Sequence, residues 1–411
     1  MSYGTGIVDN VVEASLMEIN VQLALDRCPD IVRPVIGFVE SMWFQKFNII
    51  PSGSSFEGTA INTSADIDLM LELPIGSVKL HTIGLPGFTL IKLTGPKRKL
   101  WQKLGCANRQ GFLNATEMRE LFANCVKVAV SLLQSNVVAE ENGPAVTLKI
   151  TTPEGRNVSV DLTLAIKVDW PDDAREWITR TRVWPDDDLL KEIVLQDGCH
   201  VVAKKPSSTC SFPKDGKAFC WRFSFSAAER RLFIWGSLEE GSQSCARQVL
   251  CKLKKLKHWL KPLKSYHFKT LWFYLRELKP QSLWNHDQCW ERRKDLLSLL
   301  EGCLTRQLCP HFFIKTVNLF EEFDPVQCSD LINQVRWIRK LGEMKQILCK
   351  KKKFKGANVD ELLLQWIHKR VQKKSKAKKT LWNKNRKVIS RHGSSFVSQK
   401  TRPEKFELTT S

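Results

Sequence analysis

The chain has 411 residues, 43% of them hydrophobic and 26% charged, with a formal net charge of +21. That length suits two or three domains or one bilobal unit, and that balance excludes a collagen-like or mainly disordered chain. No run nears the roughly 18 apolar residues needed to span a bilayer, and no basic-then-apolar signal opens the sequence, so a cytoplasmic protein is expected.

The elements follow in chain order. Residues 8–27 carry Val11, Leu16, Ile19 and Leu23 at helical spacing. Pro29 ends that stretch, and a second apolar helix is predicted over 31–46, before Pro51. The period then changes to two. Ile67, Leu69, Leu71 and Leu73 alternate with Asp66, Asp68 and Glu72, as in a half-buried strand. A helix is predicted over 116–134, with Glu117 and Glu120 in the first turn where the dipole favours acids. Strands over 146–151 and 158–168 flank a turn at Pro153-Glu154-Gly155, and Asp161 lies on the polar face of the second. From 226 onward the pattern is helical: 245–260, 266–278, 290–309 and 325–341, with Trp259, Trp272, Trp284 and Trp290 read as packing residues. A short amphipathic piece follows at 359–371, and the composition of 372–411 is that of a disordered tail.

Charge and cysteine narrow the chemistry. Residues 350–411 hold 19 Lys+Arg against 4 Asp+Glu, a net of +15, so most of the excess charge sits there. Such a tail binds any polyanion by counterion release and leaves a nuclear pool open. Two basic stretches lie in the body, one at 92–109 and one at 245–269, the second with eight cations and no acid. The 13 cysteines are odd in number and scattered, with no CxxC, so neither a zinc ribbon nor a disulfide framework is readable and no zinc is expected.

The informative constellation is Gly53-Ser54-Ser55 followed by Asp66-Ile67-Asp68. A Gly-Ser turn lets backbone N–H groups approach phosphate oxygens. Two aspartates at i and i+2 on a strand point to one side, and with Asp161 they can grip two hard cations such as Mg²⁺ or Mn²⁺. Asp66, Asp68 and Asp161 are thus the candidate metal-binding and catalytic residues. P-loop and Rossmann patterns are absent, which weighs against a P-loop ATPase or a dehydrogenase.

At six blocks the sequence resembles the cyclic GMP-AMP synthase-like receptors, within the wider male-abnormal family. They are Gly53-Ser54-Ser55-Phe56-Glu57-Gly58, Asp66-Ile67-Asp68, the stretches 143–148, 158–165 and 221–226, and Ser265-Tyr266-His267-Phe268-Lys269-Thr270. The resemblance runs over about 30–340. It implies an α+β bilobal nucleotidyltransferase: a core over 1–225 built on a mixed twisted sheet, a helical lobe over 226–345 and a basic tail over 346–411. It implies that Gly53 and Ser54 hold phosphate, that Lys255 and Ser265 hold the triphosphate, and that Tyr266 stacks on a base. Arg222, Ser224 and Glu229 match the base-contacting region. The implied substrates are ATP, GTP or other nucleoside triphosphates. The implied product is a cyclic dinucleotide read by a STING-type receptor in innate immune signalling.

Gly241-Ser242-Gln243-Ser244 stands where vertebrate cyclic GMP-AMP synthase carries a zinc-binding insertion. The resemblance therefore points to double-stranded RNA rather than DNA as activator, ordering the loop over 56–62. Nucleic-acid contacts are expected at Lys97, Arg98, Lys99 and Lys103 and at Lys252, Lys254, Lys257 and Lys261. Two other readings share the same residues: a catalytically silent nucleotide-binding scaffold, and a template-independent enzyme adding nucleotides to an RNA 3′ end.

Overall fold

The computed structural model describes residues 25–61, 66–133, 136–207, 210, 212–238 and 245–350, without the side chains of 235–238 and 345–350. The predicted helix over 8–27 (apart from its last residues), Gly241-Ser242-Gln243-Ser244 and everything beyond 350 lie outside the described residues. The chain forms two compact units, residues 1–336 and 337–411, and the features below belong to the first, apart from the last helix, which runs on into the second.

Helix α1, Val32–Trp43, buries Val32, Val35, Ile36, Val39 and Trp43, an i, i+3, i+4, i+7 stripe that gives the element one core-facing side. Helix α2, Ala115–Leu132, starts at Asn114, whose side chain accepts from the N–H groups of Thr116 and Glu117 and satisfies two otherwise unpaired donors. The two helices pack through Trp43, whose ring centroid lies 6.1 Å from that of Phe122 and whose Nε1 points to Cys125 Sγ at 3.3 Å.

The described strands are β1 Asn48–Ser52, β2 Asp66–Glu72, β3 Val78–Thr82, β4 Phe88–Leu93, β5 Val137–Asn142, β6 Ala145–Thr151, β7 Asn157–Val168, β8 Cys199–Val202 and β9 Trp221–Ser224. They form one mixed sheet in the order β1-β2-β7-β8-β9-β4-β3, with β6 also on β7 and β5 on β6. The pairing of β2 with β7 is parallel, and the others are antiparallel. Strand β7 is long enough to serve three neighbours: β2 on one edge, and β6 then β8 along the other. Ile67, Leu69, Leu71, Val160, Leu162 and Leu164 are buried, so the apolar face predicted for both strands is the core face.

Beyond β9 the chain is helical: α3 Ser226–Leu238, α4 Ala246–Lys254, α5 Ser265–Leu278, α6 Cys289–Arg306 and α7 Pro325–Lys350. A buried guanidinium, Arg276, lies 4.8 Å from the ring of Trp184 and 4.9 Å from that of Trp284, so aromatic faces stabilise the charge in the helical layer. Trp272 and Trp284 are core residues, and Trp259 and Trp290 are half-buried. The architecture is α+β, a mixed sheet with flanking helices and a helical C-terminal part. Among the described residues no helix is long and apolar enough to cross a membrane.

Candidate active site

Register places the acids. Asp68 of β2 and Asp161 of β7 are partners in the parallel pair, and Asp66 pairs with Ser159 one step before. Partners in adjacent strands lie about 4.8 Å apart with side chains on the same face. The three carboxylates therefore share the face opposite Ile67 and Val160. On the far side of β7, Thr147 of β6 is the register partner of Asp161, and its Oγ1 donates to Asp161 Oδ1 at 2.5 Å.

The Gly-Ser turn closes against this row. Ser52, the last residue of β1, pairs with Asp68, and Gly53 then leaves the strand at φ +75° to open the short helical turn Gly53–Phe56. A Cβ on Gly53 would lie 1.8 Å from Asp68 Oδ2. Glycine is thus required twice, by its backbone conformation and by the carboxylate packed against it. Ser55 Oγ donates to the Asp66 carbonyl and ties the turn to the start of β2.

The carboxylates repel one another. Burial first, then Asp161, Glu57 and Asp66, push the Asp68 carboxyl up to about 6, with Lys269 offsetting part of the rise. A divalent cation would relieve that repulsion, and carboxylate oxygens are the donors that Mg²⁺ and Mn²⁺ prefer. The donor chemistry therefore fits the expected metals. Among the described residues, however, no three His, Cys, Asp or Glu side chains are gathered as a ready cation site.

A cleft of about 340 Å³ opens beside the turn. Gly53, Ser54, Ser55 and Asp66 line it from the sheet side, and Lys254, Lys257, Ser265, Tyr266 and Lys269 from the helical side. Glu57, Thr59, Ala60 and Ile61 complete its wall. The chain after the turn is held by the helices. Lys254 Nζ donates to Thr59 O at 2.7 Å and to Thr59 Oγ1 at 3.2 Å. Lys269 Nζ donates to Glu57 Oε1 at 2.5 Å and to Glu229 Oε2 at 2.6 Å. Burial lowers the proton affinity of this ammonium, but Glu229 and Glu57 outweigh it and raise the pKa to about 12.

The helical wall has its own order. Tyr266 Oη donates to Glu229 Oε1 at 2.8 Å and lies 2.8 Å from His311 Nε2. The His311 Nδ1 accepts from the N–H groups of Phe313 and Ile314, both at 3.2 Å. Burial and the Arg222 charge push this imidazole down to about 3, so it is neutral with its proton on Nε2 and donates to Tyr266. Neither Arg222, Ser224 nor Glu229 is among the lining residues. Arg222 is half-buried on β9, and its Nε meets no hydrogen-bond partner among the described residues. Ser224 Oγ lies 3.2 Å from Ser226 Oγ.

The lysines sort differently from the sequence-based expectation. Lys254, expected on a nucleic-acid face, is 6% exposed and lines the cleft, as does Lys257. Lys255, expected on the triphosphate, is exposed and absent from the lining. The physical reason is the end of α4 at Lys254, where the chain tightens into a 3₁₀ turn over Lys255–His258 and turns the next side chain outward. Lys252 and Lys261 are exposed. In the other basic stretch Lys97 is spent on Gln45 Oε1 at 2.7 Å and Pro74 O at 2.8 Å, and Arg98 donates to the Arg109 carbonyl. Lys99 and Lys103 are exposed. Glu57, Thr59 and Lys269 had no assigned role, although Glu57 and Lys269 stand inside the quoted sequence blocks.

Residues 55–234 match the Mab-21 protein nucleotidyltransferase domain, and residues 244–337 match the Mab-21 protein HhH/H2TH-like domain. The chain belongs to the Mab-21 family. The two matched stretches together cover about two thirds of it; the first ends within α3 and the second begins just before α4. The first match holds Asp66, Asp68 and Asp161, and the second holds Lys254, Ser265, Tyr266 and Lys269. Both Mab-21 domains thus supply walls of the cleft.

Proposed function

We propose that this chain is a nucleic-acid-activated nucleotidyltransferase that joins two nucleoside triphosphates into a cyclic dinucleotide, with double-stranded RNA as activator. The observation that carries the reading is the Asp68–Asp161 register packed against the Gly53 turn, which with Asp66 lines a cleft whose other wall offers lysines and a tyrosine; Asp68 and Asp161 stand behind that lining. Ser54, Ser55 and the N–H groups of the turn would receive phosphate oxygens, Lys254 and Lys257 would balance triphosphate charge, and Tyr266 would stack on a base. Its hydroxyl is already fixed by Glu229 and His311, so the ring is oriented before a base arrives.

Asp66, Asp68 and Asp161 would hold the Mg²⁺ or Mn²⁺ ions. When bound, these ions supply neutralisation of the triphosphate and of the leaving pyrophosphate. The reaction itself is attack of a ribose hydroxyl on an α-phosphorus, breaking the bond to pyrophosphate, performed twice to close a ring. The exposed cations Lys99, Lys103, Lys252, Lys255 and Lys261 are open to duplex phosphates. A-form RNA is recognised through shape, phosphate and 2′-hydroxyl contacts, so activation would depend on duplex length and hardly on sequence. The product would be read by a STING-type receptor.

The test is incubation of the purified chain with all four nucleoside triphosphates, Mg²⁺ or Mn²⁺, and RNA or DNA duplexes, followed by mass spectrometry. Extended RNA instead of a small cyclic product would identify a terminal nucleotide-adding enzyme. The catalytically silent scaffold draws on one observation, the lack of a gathered three-carboxylate group among the described residues. Folded protein that binds nucleotide but releases no pyrophosphate would establish it.

A further inference from the structure

Five polar side chains, three of them in the wall of the cleft, join in an unbroken line. Glu57 Oε1 and Glu229 Oε2 both accept from Lys269 Nζ, at 2.5 and 2.6 Å. Glu229 Oε1 accepts from Tyr266 Oη, and His311 Nε2 stands 2.8 Å beyond it. The three charged side chains at the centre are 13%, 5% and 7% exposed for Lys269, Glu57 and Glu229. The rings of Phe233 and Phe273 lie 5.2 and 5.9 Å from the ammonium. One end of the line is anchored to the phosphate turn, because the N–H of Glu57 donates to Gly53 O at 3.1 Å. Toward the other end stands the tyrosine of the opposite wall, held in turn by His311.

We propose that Lys269 is a positioning residue of the cleft, a clamp that sets the spacing of the Gly53–Phe56 turn from the Tyr266 ring and makes each wall respond to the other. The proposal rests on the nucleotide-binding reading given above. One ammonium faces two buried carboxylates, so its removal leaves two like charges with no cation between them. Their repulsion acts along the line, pushing Glu57 and the turn one way and Glu229 and Tyr266 the other. Glu57 and Tyr266 share no hydrogen bond, and Lys269 and Glu229 are the hydrogen-bonded route that joins them.

The experiment is a double-mutant cycle on the full chain. Binding of a non-hydrolysable ATP analogue with Mg²⁺ is measured for Glu57→Gln, Tyr266→Phe and the pair, in the native background and with Lys269→Met. In the native background the two effects should depart from additivity by about fivefold, and with Lys269→Met that coupling should vanish. Lys269→Met should weaken the analogue about tenfold and Lys269→Arg, which keeps the charge, should recover most of it. Additive effects in the native background, or native affinity in Lys269→Met, would overturn the proposal.

If Lys269→Met does not fold, the native-background cycle and Lys269→Arg still decide. If the native chain binds no analogue, the nucleotide reading fails separately, and amide exchange over 53–61 tests the clamp alone. Tyr266→Phe should then speed that exchange severalfold. Unchanged exchange in a folded variant would sink it.

Discussion

Asp68 and Asp161 face each other across the one parallel strand pair among the described residues, with Gly53 packed so closely on Asp68 that no side chain fits between them. Folding alone does not favour this arrangement. It sets acids side by side on two interior strands of the sheet and raises Asp68 to about 6 through burial and the neighbouring charges. Such stored repulsion is what a cation site looks like before the cation contributes.

Asp68→Asn should therefore stabilise the metal-free protein at pH 7, by about 2 kcal/mol, since a neutral amide escapes the repulsion that costs the ionised acid. The same variant should lose the rise in melting temperature that Mn²⁺ gives the native chain. Thermal melts with and without Mn²⁺ check both halves. A destabilised metal-free variant with an intact Mn²⁺ response would contradict the assignment.

Gly53→Ala should be costly out of proportion to one methyl group. The new Cβ meets Asp68 Oδ2 at 1.8 Å, and φ +75° strains any L-residue. A stability loss of about 1–3 kcal/mol is expected, with loss of nucleotide binding in whatever fraction folds. Denaturant melts and analogue titration would measure the two.

Lys254 and Lys255 offer a contrast at adjacent positions. Lys254→Ala should weaken nucleotide binding about tenfold, because it removes both a charge and the hold on Thr59. Lys255→Ala should leave nucleotide affinity within about twofold and weaken duplex RNA instead, lowering the salt slope by about one. Paired nucleotide and RNA titrations at two salt concentrations would separate them.

The pH dependence of stability should carry a mark of His267, which is buried, and His311, which is half-buried. His311 is pushed down to about 3 and His267 to about 4, each first by burial. A base whose folded pKa is depressed favours the folded state above its unfolded value of about 6.5, and that advantage is lost as pH falls toward the folded pKa. The melting temperature should thus drop steeply between pH 6.5 and 4. His311→Gln should flatten part of that slope, and an unchanged profile in the folded variant would refute the neutral, Tyr266-donating imidazole.

Of the nine described strands, β2, β6 and β7 were legible, β2 and β7 because they alternate cleanly, one face apolar and one acidic, in a twofold period distinct from a helix. The register that makes Asp68 and Asp161 partners was not, since pairing between strands 90 residues apart is a tertiary fact. Strand β8, buried on both faces, shows no alternation to read, and β1 contains Pro51, which argues against a strand unless it lies at an edge, as this one does. The exchange of Lys254 and Lys255 has the same origin. Successive helical residues differ by about 100° in direction, so a helix that changes pitch at that point reassigns neighbouring side chains. Glu57 and Lys269 escaped notice because charged residues read locally as solvated, and only their pairing across 212 positions explains their burial.

The most direct test of the whole account is pyrophosphate release by the native chain and by Asp161→Asn, with nucleoside triphosphates, Mn²⁺ and a long RNA duplex, read together with the mass of the nucleotide product. The native chain should release pyrophosphate and form a cyclic dinucleotide, and the variant should fold, bind RNA and do neither. Equal release from both proteins, or none from a folded native chain with any duplex, would contradict it.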